Sequence, residues 1–406
     1  MSTVANEKSL KGLSGASKVT KELQALNAKW RNYVAQICGA DTAGGVFQVA
    51  QGNLGLQSSD SSGLFLMADT VPSDSPTGYY NSSSNRRSSA YNSLLFALAP
   101  MDSTELKDVL ADQYVNWLQY RKSYYTDPKN DPSVPQLKVF EGWANGNLDP
   151  QMAQRAITIF KQADQSPINK AIDAYTDPAN QEKFAHSDGS IYKLYRYTGT
   201  HEGAVDAIAS GQSISQVDFD SAKESEKSEH TFSEGAIAGF YDIFEAEAGG
   251  EYEDLNKTAS GARVTVTGHI GKTAQLITQP GAWYSSNMVG SAYDHPNDNT
   301  VWSPKASDDW DSFFSQPHGM LARYITSLLL VSDYELTVTI HANFSEEQYQ
   351  KISTETEIGI WPFFGIENTT THTRQFHHEE DGSLTYTLSL NKGLIGIWGV
   401  NFLPAP

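Results

Sequence analysis

The sequence predicts an α+β fold, a helical N-terminal part followed by a mainly antiparallel β-rich part. Apolar residues recur at helical spacing up to about residue 184, the period then changes to the alternation of strands, and Gly-containing turns such as Glu380-Asp-Gly382 separate the later segments. A chain of 406 residues exceeds the size at which one core keeps growing, so one large or two closely packed domains are expected. The division falls at 1–184, mainly helical with a Gly/Ser-rich irregular segment at about 44–86, and 185–406, β-rich with an amphipathic helix and a C-terminal hairpin.

The first helix carries Val19, Leu23, Leu26, Trp30, Val34 and Ile37 on one stripe, after Ser17 and before Gly39. Residues 44–86 bring only short strand-like apolar pieces, Val46 to Val49 and Leu64 to Met67, between turn signals at Pro72 and Pro76. Helices resume at Ser88 to Leu98. Another follows the capping box Asp102-Ser-Thr-Glu105, with Leu106, Val109, Leu110, Tyr114, Trp117 and Leu118 on its apolar face. A further helix opens at Asp149-Pro150, cap and first turn, and carries Ala153, Ile157 and Phe160. Tyr125-Thr-Asp-Pro128 and Tyr175-Thr-Asp-Pro178 repeat a tetrapeptide whose flanks do not match, so they read as two similar helix stops and not as a duplication.

After residue 185, Ile191 to Tyr197 is a Tyr-rich strand. Ala262 to Thr267 and Thr273 to Thr278 read as a strand pair joined through Gly268-His-Ile-Gly271. The apolar run Met320 to Val331 carries Arg323, Thr326 and Ser327, too polar for a membrane span, and reads as a core helix ahead of a strand from Tyr334 to His341. Ser345-Glu-Glu-Gln348 caps a short helix to Ile352. Strands at about Thr354 to Ile360, Thr369 to His377, Ser383 to Leu390 and Leu394 to Leu403 complete the chain, with Gly382 left-handed in a hairpin that sets Phe376 across from Tyr386.

The segment Asp218 to Tyr252 stands apart. A charge run (Asp218, Asp220, Lys223, Glu224, Glu226, Lys227, Glu229) opens onto Gly235-Ala-Ile-Ala-Gly-Phe-Tyr-Asp-Ile-Phe244. Ile237, Phe240, Tyr241, Phe244 and Ala248 fall at helical intervals, Thr231-Phe-Ser-Glu234 supplies a capping box and Gly249-Gly250 a stop, which predicts a helix over 232–248. Interior Gly235 and Gly239 each cost a helix about 1 kcal/mol against Ala. They make this the candidate switch or membrane-contact segment, together with the aromatic cluster Ile360-Trp-Pro-Phe-Phe364 and its Trp361, Phe363 and Phe364.

The 48 acidic against 29 basic residues give a net charge of −19, a field that repels nucleic acid and anionic lipid heads at long range. The single cysteine, Cys38, permits no intrachain disulfide and no cysteine zinc cluster, and its apolar neighbours read as a buried structural thiol. The N-terminus has no apolar run after its charges, so the expectation is synthesis into the cytosol, with release only by a signal-free route or lysis.

Catalytic motifs are incomplete. Gly271-Lys272-Thr273 lacks the first glycine of a phosphate-binding loop, since position 266 is Val, and reads as a hairpin turn. His372, Arg374 and His378 share one strand face with a positive charge between the imidazoles, which argues against a metal site. The ligand candidate is the loop-rich stretch Gly281 to Gly319, where Trp283, Trp302 and Trp310 stand among Asp308, Asp309 and Asp311, aromatic faces beside carboxylates as sugar binding requires. No cofactor is expected. The reading is a non-enzymatic, toxin-like protein that associates with itself or a membrane. An assembly protein forming oligomers or filaments is the first alternative, and a carbohydrate-binding module or glycoside hydrolase built on the 281–319 loops the second. Expected partners are further copies of the chain, a membrane or a glycan, and not nucleic acid.

Overall fold

The structure is a computed structural model. It describes residues 17–40, 45–56, 60–72, 85–98, 104–131, 134–163, 167–186, 188–224, 243–246, 252–296, 298–299, 301–303, 306–316, 318–354, 358–360, 363 and 372–405. The helical part comprises α1 (Ser17–Cys38), β1 (Val46–Gly55), α2 (Ser62–Ala68), α3 (Arg87–Ala97), α4 (Thr104–Leu110), α5 (Gln113–Thr126), α6 (Gln136–Asn147), α7 (Pro150–Ala163) and α8 (Pro167–Thr176). There follow β2 (Gln181–Ala185), β3 (Ile191–Tyr195), α9 (His201–Ala209), β4 (Gln212–Asp220), β5 (Phe244–Ala246), α10 (Glu253–Ala259) and β6 (Arg263–Ile277). The chain closes with α11 (Ser286–Asp294), α12 (Trp310–Phe314), β7 (Arg323–His341), α13 (Glu346–Thr354), β8 (Ile358–Ile360), β9 (His372–His378), β10 (Leu384–Leu390) and β11 (Ile395–Pro404). The fold is α+β, as the change of period predicts.

The 19-residue β7 is the axis of a seven-stranded antiparallel sheet. One side of it pairs with β6 over almost its whole length. The other side pairs with β11 along its first half and with β10 along its second. β1 extends the sheet beyond β11, β9 beyond β10, and β4 beyond β6.

The two halves of β7 are buried differently, and its sequence follows. Leu328, Leu329, Leu330 and Val331 are all fully buried, with Leu329 and Val331 in a core on one face and Leu328 and Leu330 in a separate core on the other. From Tyr334 to His341 the side chains alternate between buried and exposed or half-buried, because only one face is covered. The continuous apolar run is therefore a strand buried on both faces, and the core helix expected over Met320 to Val331 is corrected. Such a run has no period by which to tell strand from helix. Arg323 tolerates burial because its guanidinium donates to the Pro72 carbonyl at 2.9 Å and to Gln316 Oε1 at 2.8 Å.

The strand pair expected at 262–278 is likewise one strand, β6, and Gly268 to Thr273 lie inside it instead of forming a turn. Gly268 has φ +148° and a Cβ built on it would stand 2.1 Å from the Glu335 carbonyl oxygen, so glycine here serves close strand approach and not reversal. Leu64 to Met67 belongs to helix α2, not to a strand. The helix expected through Leu106 to Leu118 is broken into α4 and α5 at Ala111, whose φ of +45° no regular helix allows. The predicted hairpin holds. Gly382 has φ +84° and Tyr386 pairs with Phe376.

Helix α1 lies across the sheet and presses Leu26, Trp30 and Val34 into the core, four residues apart as its stripe requires. Trp30 meets Phe219 of β4, Trp398 of β11 and Phe363 at ring-centroid distances of 5.2, 6.1 and 5.0 Å. Burial pushes the Cys38 thiol near its end up to about 12, so the group stays protonated. The helix also covers sheet edges. Arg31 Nε donates to the Phe47 carbonyl of β1 at 2.6 Å, and the Asp218 N–H of β4 donates to Tyr33 Oη at 2.7 Å. At the third edge Tyr349 of α13 donates to the Phe376 carbonyl of β9 at 3.2 Å. Edge backbone is thus engaged at each end of the sheet, which blunts strand-to-strand addition.

Helices α4 to α7 form their own core around Trp117, Phe140, Trp143 and Phe160. A third layer, rich in tyrosine, joins α3, α8, β3 and α11.

Candidate functional site

The aromatic residues expected to bind a ligand lie inside the tyrosine-rich layer. Trp283 is 0% exposed, its indole N–H donates to the Arg196 carbonyl at 2.7 Å, and Tyr91, Tyr195 and Tyr197 surround it at 5.8, 4.9 and 5.6 Å. Trp302 is buried against Phe313 and donates to the His295 carbonyl at 2.8 Å. Trp310 is half-buried and donates to the Tyr293 carbonyl at 2.8 Å. Each indole N–H anchors the loop that carries it.

The neighbouring acids divide in the same way. Asp309 caps α12, accepting from Ser312 N at 3.1 Å and Ser312 Oγ at 2.9 Å, and these bonds hold its carboxyl below the usual range. Asp308 is half-buried and Asp311 exposed.

Beside this layer Asp69 accepts three bonds: Ser88 N at 2.8 Å, Ser88 Oγ at 2.6 Å and Tyr197 Oη at 2.8 Å. A serine on a carboxylate suggests an activated nucleophile. The surroundings give another role, because Ser88 stands in the first turn of α3 and Asp69 caps that turn from the end of α2. Burial raises the Asp69 carboxyl despite its bonds. Arg87 lies between the rings of Tyr284 and Tyr324 at 4.3 and 4.7 Å, which closes the cluster with a cation–π sandwich.

The candidate switch segment is described in part. Gly235, Ile237, Gly239, Phe240 and Tyr241 lie outside the described residues, as do Trp361 and Phe364. Phe244 to Ala246 is strand β5, paired with β8, so the helix expected over 232–248 does not include them. Asn256 imposes that choice. Its carboxamide accepts from Phe244 N at 2.9 Å and donates to Phe244 O at 3.1 Å, doing for one residue what a neighbouring strand does. Phe244 and Phe363 are each 1% exposed in the main core.

A groove of about 680 Å³ lies between α4 and α7, lined by Asp108, Val109, Asp149, Gln151, Met152, Arg155 and Ile159. Helix α7 has two stripes at the same spacing. Ala153, Ala156 and Phe160 enter the helical core, while Met152 and Arg155 line the groove together with Ile159, which is half-buried against that core. Asp149 caps α7, accepting from Gln151 N at 3.1 Å and Met152 N at 3.0 Å, so the helix start is fixed beneath the groove. Met152 is 37% exposed. The sequence signal for this surface is Met152 alone, an apolar residue outside the Ala153, Ile157 and Phe160 stripe.

Among the described residues no helix is long and apolar enough to cross a membrane. Comparison of the chain with protein-family models, curated proteins and solved structures gave no match.

Proposed function

We propose that this chain is a non-enzymatic, self-associating protein whose helical module supplies the association surface. The observation that carries the reading is the α4–α7 groove, where the exposed Met152 lines a shared wall with Val109, Ile159, Asp108, Asp149 and Arg155. Three apolar side chains here stand among two carboxylates, a carboxamide and a guanidinium, a mixed surface that a partner helix can meet through both packing and charge, and Met adapts to varied partners. The occupant is a second copy of the chain. The same module displays Tyr120 on α5, 41% exposed and next to Tyr124, an amphipathic anchor of the kind that fills such grooves. Groove and anchor are different patches, so the contact is head-to-tail and builds rings or open chains.

The membrane reading carries a greater cost. Phe244 and Phe363 have to leave the core to reach lipid, at roughly 1.5–3 kcal/mol each. Strand-to-strand assembly meets edges already bonded by Arg31, Tyr33 and Tyr349.

Light scattering after size-exclusion chromatography, over a range of concentrations, tests the proposal. The wild-type mass is expected to rise with concentration and Met152→Glu to hold the protein at one chain. A wild-type protein monomeric at every concentration, or a Met152→Glu variant that associates as the wild type does, contradicts it.

A further inference from the structure

Arg121 of α5 is 1% exposed, between the core of the helical module and the tyrosine-rich layer. Its guanidinium carbon stands 5.4 Å from the Phe96 ring centroid. Nη1 reaches Gln136 Oε1 at 3.4 Å, and Gln136 Nε2 in turn donates to Asn169 Oδ1 at 2.6 Å. The opposite edge is different. Nε and Nη2 are both buried and donate to no protein acceptor. Among the described residues no carboxylate pairs with Arg121, and Asp173, one turn beyond Asn169 on α8, acts on Tyr125 without reaching ion-pair distance of the guanidinium.

A buried cation without a counter-charge is a costly arrangement. Burial draws the Arg121 guanidinium down to about 10, which still leaves it charged at neutral pH. The orphaned atoms are moreover the two that form the side-on fork of an arginine, parallel N–H groups spaced to match two oxygens of one anion. We propose that the Nε–Nη2 edge of Arg121 binds one small oxyanion, of the carboxylate, phosphate or sulfate type, inside the helical module. The site lies apart from the α4–α7 groove and does not depend on self-association.

Because the edge is closed, binding is measured on protein unfolded in urea and refolded with the anion present. Thermal unfolding midpoints are compared in sodium phosphate, sodium sulfate and sodium acetate against sodium chloride of equal ionic strength. The expectation is a saturable rise of a few degrees in at least one oxyanion over chloride. Equilibrium dialysis with the same three ions is expected to find one bound per chain. Arg121→Met is expected to fold, by volume and apolarity, and to lose the rise. Arg121→Lys keeps the charge without the fork and is expected to lose most of it. Equal midpoints in all four salts with no ion retained in dialysis overturn the proposal, as does an undiminished rise in Arg121→Met. If Arg121→Met does not fold, the wild-type dialysis and Arg121→Lys decide the matter.

Discussion

Substituting Gly268 by Ala separates a strand interior from a turn at that position. In the structure the new Cβ falls 2.1 Å from the Glu335 carbonyl oxygen and 3.0 Å from both the Glu335 carbonyl carbon and Leu336 Cα. All three are backbone atoms of β7, so no rotamer change relieves the overlap, and β6 and β7 have to part by roughly 1 Å to reach ordinary contact. Parting the strands there weakens a few ladder hydrogen bonds, at about 1 kcal/mol each. The φ of +148° adds strain of about 1–3 kcal/mol for any residue with a Cβ. The sum is a loss of roughly 3–5 kcal/mol. Gly142, inside α6 with nothing within 4 Å of its would-be Cβ, is the control, and Gly142→Ala is expected to gain roughly 0.5–1 kcal/mol. Urea unfolding followed by far-ultraviolet circular dichroism measures both. A Gly268→Ala protein as stable as the wild type refutes the continuous β6–β7 ladder, and equal losses from both variants refute the argument from local space.

Two carboxylates predict opposite pH behaviour. Asp69 is raised by burial, so the folded state binds its proton more tightly than the unfolded chain, and stability falls as pH rises from the unfolded value of about 3.9 to the higher folded one. Asp220 is held well below the usual range by the two-point bond from Arg263, at 2.8 Å for each oxygen, so its contribution is present above about 3.9 and is lost as pH falls. Urea midpoints across acid pH are expected to show Asp69→Asn gaining on the wild type as pH rises, and Asp220→Asn flattening the acid loss. Coincident curves for wild type and both variants count against these assignments. At α13, Ser345 Oγ accepts from Gln348 N at 3.2 Å while Gln348 Oε1 accepts from Ser345 N at 3.0 Å, and Ser345→Ala is expected to cost about 1 kcal/mol in the same assay.

Local signals read well where local physics decides. The α1 stripe, the Asp149 cap, the Ser345–Gln348 box and the Gly382 turn each rest on residues within one or two turns of one another, and the structure keeps them. Local signals mislead where a distant partner sets the conformation. Leu328 to Val331 is a strand because layers cover both its faces, Gly268 is extended because Glu335 passes close by, and Phe244 is extended because Asn256 holds its backbone. The tryptophans at 283, 302 and 310 fit a binding surface by residue type, but a lone sequence does not show which ring faces are covered. Met152 is the converse case, since an apolar residue in a helix reads as core until its neighbours are known.

The central claim is that groove and anchor on different copies meet, and mixing two blocked variants tests it most directly. Met152→Glu lacks the groove and Tyr120→Glu lacks the anchor, so each alone is expected to sediment as a single chain. An equimolar mixture is expected to form pairs, one intact groove holding one intact Tyr120, and to grow no further. A mixture that stays at single-chain mass while the wild type associates, or variants that associate unmixed, contradicts the account.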